Sequence, residues 1–237
     1  MAVAFVTGGT RGIGLAVVRA LVARGDSVAL TGTSIESAQR AETAVALAAA
    51  DATRVMGLEC DVRDGGAVRR AIDAATQRFG GLDVLVNNAG VGVGAPIAEL
   101  DEAEWHRLID TNLTGVFHCC RAALRHLKAR GGGWIVNVSS LAGKNPFVGG
   151  AAYCATKAGL DAFSEALMQE VRHDGIRVAQ ICPGSVATGF SGRAPDAGAD
   201  WKLHPEDVAA AVLHLLSHPA RSLPSRIEIR PARPPRK

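Results

Sequence analysis

The chain has 237 residues, enough to bury one substantial core and most simply read as a single domain. Its 48% hydrophobic and 21% charged residues suit an ordinary globular protein and argue against a disordered one. A formal charge of +3 is too small to imply nucleic acid, and no apolar segment or signal-like start points to a membrane.

Val3–Val6 is a short apolar run that ends at a glycine cluster, Thr7–Gly14. Leu15, Val18, Leu21 and Val22 then recur at helical spacing until Gly25. Val28–Leu30 reads as a buried strand, and a helix is expected from about Ile35 to Ala50. Val55–Leu58 leads into Cys60-Asp61-Val62, expected as a strand ending at a polar residue. Gly65–Phe79 is a predicted helix, and Val84–Val86 a strand ending in Asn87-Asn88-Ala89-Gly90. Ala103–Ala129 reads as one long helix stopped by three glycines, and Trp134–Val138 as a strand ending at Ser139-Ser140. Ala152–Val171 (helix), Val178–Ile181 (strand), Pro205–Leu216 (helix) and Arg226–Ile229 (strand) complete the series.

Strands that are apolar throughout and alternate with helices imply a parallel sheet covered on both faces. The fold class is therefore α/β: a single Rossmann-type doubly wound sheet over residues 1–230, with its ligand at the carboxyl ends of the strands. Residues 231–237 form a tail rich in proline and arginine, expected to be solvated. The cysteines Cys60, Cys119, Cys120, Cys154 and Cys182 lack C-x-x-C spacing, which argues against a metal site or disulfide framework. Small buried thiols in a reducing cytoplasm are the expectation.

Gly8, Gly12 and Gly14 stand between the first strand and first helix, where backbone N–H groups and the helix dipole favour a phosphate. Tyr153 and Lys157 are four apart on a helix and so share a face, with Ser140 at the end of the preceding strand. A lysine ammonium beside a phenol lowers its pKa, which suits tyrosine to move a proton near neutrality. Ser140 would donate a hydrogen bond to a substrate oxygen as charge develops. Ser139 competes for that role.

Thr7-Gly8-Gly9-Thr10-Arg11-Gly12-Ile13-Gly14 resembles the cofactor signature of the short-chain dehydrogenase/reductase family. The likeness continues through Asp61-Val62, Asn88-Ala89-Gly90, Asn112, Ser140, Tyr153-x-x-x-Lys157, and Pro183-Gly184 with Thr188, and is closest to the 3-oxoacyl-carrier-protein reductase type. The spacing from serine to tyrosine in that family favours Ser140 over Ser139. The resemblance implies a nicotinamide cofactor and a small carbonyl or alcohol substrate. It assigns Asp61 and Val62 to the adenine, Asn88–Gly90 to the ribose and pyrophosphate path, and Val186 and Thr188 to the nicotinamide amide. It gives Asn112 a water that relays protons to Lys157. It also implies a homodimer or homotetramer, with the helices carrying Asn112 and Tyr153 at one interface.

An enzyme choosing NAD usually carries an acid about 20 residues beyond the glycines. Here Leu30-Thr31-Gly32-Thr33-Ser34 holds none, and Glu36 is expected to open the next helix. Arg11, Thr33 and Ser34 could instead meet a 2′-phosphate, so NADP(H) is favoured over NAD(H). Two other activities fit the same residues: an alcohol or sugar dehydrogenase working oxidatively, and a cofactor-sensing regulator without turnover. Gly189–Leu203, with Trp201, is expected to cover the substrate as a mobile lid.

Overall fold

A computed structural model describes residues 1–92, 94–190 and 200–235. The helices and strands run in the order β1 (Val3–Val6), α1 (Gly12–Ala23), β2 (Ser27–Gly32), α2 (Ile35–Ala46), β3 (Val55–Glu59), α3 (Gly65–Phe79) and β4 (Val84–Asn87). They continue as α4 (Glu102–Ile109), α5 (Gly115–Ala129), β5 (Gly133–Val138), α6 (Ala151–Val171), β6 (Ile176–Pro183), α7 (Pro205–Leu216) and β7 (Arg226–Ile229).

The strands form one seven-stranded sheet in the order β3-β2-β1-β4-β5-β6-β7, every pair parallel. Alternation along each strand feeds two cores. Ala4 and Val6 join Trp134, Val136 and Ile181 under α1, α2 and α7. Phe5 joins Leu85, Ile135 and Val178 on the opposite face, under α3, α5 and α6. Both sides of β1 are thus dry, which is why its sequence shows no polar alternation. The winding reverses between β1 and β4, and a doubly wound sheet opens a crevice where its order reverses.

Most boundaries fall within two residues of expectation, β6 running two residues further at each end, and three depart by more. α2 stops at Ala46 rather than at Ala50, and Leu47 just beyond it is 84% exposed. β3 ends at Glu59, opposite Gly32, the last residue of β2; its only neighbour ends there, so Asp61 and Val62 lie in a turn. The helix expected over Ala103–Ala129 is broken. Asp110–Thr114 winds as a π-helical turn between α4 and α5, and Asn112 sits within it. Gly115, next in line, packs so closely that a Cβ would approach a Val62 methyl carbon to 2.7 Å.

Candidate active site

The glycine turn is held from both sides of the switch point. Thr7 donates its backbone N–H to the Val86 carbonyl (3.0 Å), and its hydroxyl accepts from the backbone N–H groups of Asn88 and Ala89 (both 3.0 Å). The Asn88 amide donates to the carbonyls of Thr7 and Gly8 (both 3.0 Å). Asn88 therefore spends its side-chain donor on bracing the turn. Gly8 and Gly12 adopt left-handed φ values of +61° and +53°. A Cβ on Gly14 would lie 2.2 Å from the Gly8 carbonyl oxygen and 2.4 Å from the Asn88 amide nitrogen. No other residue fits there, and the turn keeps its backbone bare.

That turn opens onto a cleft of about 920 Å³ at the carboxyl ends of the strands. Gly8, Thr10, Arg11, Gly12, Ile13 and Thr33 line one end; Ser140, Tyr153 and Lys157 line the other. Asp61, Val62, Asn88, Ala89, Gly90, Pro183, Gly184, Val186 and Thr188 border the space between. Gly9 and Gly14 do not line it. Gly9 packs against Leu30, and Gly14 against Gly8 and Asn88. Asn112 also lies behind the wall, buried, where its side chain forms two hydrogen bonds with the backbone of Val91 (both 2.9 Å). Its amide further donates to the Thr156 hydroxyl (3.1 Å), which donates to the Tyr153 carbonyl (2.8 Å).

Several side chains do other work than expected. Ser34 caps α2 by accepting from the Ser37 N–H (3.3 Å). Glu36 opens α2, as expected. Arg11 reaches across the mouth and donates to the Gly189 carbonyl (2.9 Å). Asp61 is engaged by Arg63 at 2.6–3.0 Å, and this contact holds its carboxyl below the ordinary range. Ser139 is buried and donates to Asp161 (2.5 Å), whereas Ser140 is half-buried and hydrogen bonds to Tyr153. That separates the two serines.

Lys157 is buried and donates from Nζ to the Val138 carbonyl (2.9 Å). Burial, only partly opposed by the Asp161 charge, lowers it to about 8. Tyr153 moves the other way. Burial raises the phenol above its ordinary value, and the Ser140 hydrogen bond only partly offsets this. The expected lowering by Lys157 is absent: lowered to about 8, the lysine has lost its charge before a phenol raised above its ordinary value titrates.

Sequence reasoning missed Arg63, Arg107 and Phe147, and held Phe190 and Lys202 only as part of the expected lid; all five line the cleft. Phe190 stands edge-on to Tyr153, centroids 6.0 Å apart. Arg63 and Phe147 stand in loops, which carry no periodic signal, and Arg107 on α4 reads as an ordinary charged helix residue; only the adjacency of Arg63 to Asp61 offered a hint. Residues 191–199 of the expected lid lie outside the described residues. On either side of them, Val186 and Leu203 form a parallel bridge, with Ala187 donating to the Leu203 carbonyl (2.8 Å).

All five cysteines are buried and free. Among the described residues no cluster of three or more His, Cys, Asp or Glu could hold a metal, and no helix is long and apolar enough to cross a membrane.

Comparison with known proteins agrees with this architecture. Residues 2–197 match the family described as short chain dehydrogenase. The chain is 39% identical to cis-4-hydroxycyclohexanecarboxylate dehydrogenase of Sinomonas cyclohexanicum, over 92% of this chain and 90% of that one. It is 36% identical to the 3-oxoacyl-acyl-carrier-protein reductase of Haemophilus influenzae, over 78% and 74%. The solved alcohol dehydrogenase of the archaeon Thermococcus sibiricus, complexed with 5-hydroxy-NADP, superposes with a TM-score of 0.91 at 30% identity, covering 100% of both chains.

Proposed function

The chain belongs to the short-chain dehydrogenase family, and on that premise we propose that it is an NADP(H)-dependent oxidoreductase that reduces a ketone or 3-oxoacyl-type carbonyl. The observation that carries this reading is the single cleft joining the glycine turn to Ser140, Tyr153 and Lys157. The turn suits a pyrophosphate because Gly8 and Gly12, at left-handed φ values of +61° and +53°, leave bare backbone facing the cleft at the start of α1.

A bound nicotinamide supplies the hydride, and the chain binds, orients and moves the proton. Thr10, Gly12 and Ile13 would offer N–H groups to the phosphates at the start of α1, while the Gly8 N–H is held by the Thr31 hydroxyl (3.3 Å). Asp61, Val62 and Asn88–Gly90 would border the adenosine, and Pro183, Gly184, Val186 and Thr188 the nicotinamide amide. Tyr153 keeps its proton at neutral pH, since burial raises it, and so serves as the acid that protonates the carbonyl oxygen. Ser140 donates a hydrogen bond to that oxygen as negative charge develops. Lys157 holds the ribose and, titrating at about 8, restores the proton to Tyr153. Asn112 steadies the Val91 backbone and, through Thr156, the Tyr153 turn. Thr33, standing where an NAD enzyme would carry an acid, and Arg11 at the mouth favour NADP(H).

The oligomer is proposed to be a homodimer or homotetramer. Phe117 on α5 is 43% exposed, a large apolar side chain suited to a subunit contact. Comparing kcat/KM for NADPH and NADH over paired ketones and alcohols tests the reading. Higher values for NADPH with ketones are expected. A clear NADH preference overturns the cofactor assignment, and turnover of alcohols alone overturns the direction.

A further inference from the structure

Behind the cleft, a buried carboxylate links three elements. Asp161 lies on α6 one turn beyond Lys157, with its side chain only 12% exposed. One oxygen accepts the Ser139 hydroxyl (2.5 Å), and the other pairs with Arg226 Nη1 on β7 (3.0 Å). Ser139 falls between Val138, whose carbonyl receives Lys157 Nζ, and Ser140. Leu141–Gly143 then form a tight 3-10 turn, and Gly143 is pressed so close that a Cβ would meet the second Asp161 oxygen at 2.8 Å. The far end of the turn is tied to the same strand. Glu228 on β7 contacts Lys144 Nζ (3.5 Å), Arg226 Nε (3.3 Å) and Arg230 Nη2 (3.0 Å).

We propose that Asp161, with Arg226, is a positioning pair for the reaction: it anchors the Ser139–Gly143 turn to α6 and β7 and serves as the counter-ion of buried Lys157. This rests on the proposed roles of Ser140 and Lys157. The Arg-x-Glu-x-Arg pattern of the last strand thereby gains a use that its place at the sheet edge did not suggest. The charged and titratable groups around Lys157 are few. Tyr153 and Asp161 share its helix, Cys182 faces it from β6, and Arg226 and Glu228 stand behind Asp161 on β7. Cys182 is itself pushed up to about 11 by burial, so it stays a neutral thiol near pH 8. Asp161 is then the anion that opposes the burial penalty on the ammonium, and Arg226 tempers it.

The two partners therefore act on Lys157 with opposite signs. Following the Lys157 Cε resonance of ¹³C-lysine-labelled protein against pH, assigned with Lys157→Met, reads this without substrate or cofactor. Asp161→Asn keeps an acceptor for Ser139 but removes the charge, and should lower the Lys157 midpoint by about one pH unit. Arg226→Gln leaves the carboxylate without its guanidinium, and should raise the midpoint. In ketone reduction the alkaline limb of kcat should follow each shift. Midpoints that stay at the wild-type value in both variants, or move the same way in both, overturn the proposal. Should Asp161→Asn fail to fold, an unchanged midpoint in Arg226→Gln overturns it alone. Wild-type protein that never turns over a carbonyl sinks the proposed reaction instead, and leaves the titration readable.

Discussion

At the glycine-turn end of the cleft the surface is backbone, whereas at the Ser140 end it is side chains held by other side chains. The first end is specified by what is missing. Gly14 has no room for a methyl group, and Asn88 fills the space behind with two hydrogen bonds. The second end is specified by partners: Lys157 on Val138, Ser139 on Asp161, Asn112 on Val91 and Thr156. A backbone-built site recognises a group common to many ligands, such as a phosphate. A site built from side chains can be tuned in pKa and position. Damage should therefore separate: lesions at one end weaken cofactor binding, and lesions at the other slow the chemistry.

The largest effect is expected at the side-chain end. Tyr153→Phe removes the acid and should lower kcat about 10³-fold, while the cofactor Kd changes by no more than a few fold. Equal losses in both, by steady-state kinetics and fluorescence titration, would break the separation. Gly14→Ala should do the reverse, weakening cofactor binding about 100-fold and lowering Tm as the turn shifts to admit a Cβ. Unchanged binding in a calorimetric titration would mean that the turn is not the phosphate site. Arg11→Ala should raise KM about tenfold for NADPH and leave NADH unaffected, since only a 2′-phosphate needs the charge. The smallest effect is one of shape. Lys157 is lowered to about 8, so its ammonium is lost as pH rises through that value. Reductive kcat/KM should fall above about pH 8, and a limb beginning near 10 would show an unburied lysine.

The backbone-built end was the more legible in sequence, but only as backbone. Glycines and apolar strands announce themselves, because each residue type there follows from a local steric or burial demand. Side chains at the same end carry partners that the sequence did not show. Ser34 went to capping α2, Asn88 to bracing the turn, and the Asp61 carboxylate to Arg63, since a polar group near a helix start or turn satisfies its nearest donor or acceptor first. At the other end, Ser140, Tyr153 and Lys157 could be placed from strand end and helical spacing. The π-helical turn at Asn112 could not, because only a run of polar residues within an otherwise helical stretch betrays it. Asp161 and Arg226 meet only after the sheet has formed, so neither position carries a local signal.

The central claim is that both ends of the cleft serve one reaction. Stopped-flow mixing of protein loaded with NADPH against a panel of ketones and 3-oxoacyl thioesters measures this directly, through the absorbance of the reduced nicotinamide. A single-turnover loss of that absorbance with at least one carbonyl, abolished in Tyr153→Phe, is the predicted result. Tight NADPH binding with an absorbance that stays constant against every carbonyl would contradict it, and would point to a protein that senses the cofactor without using it.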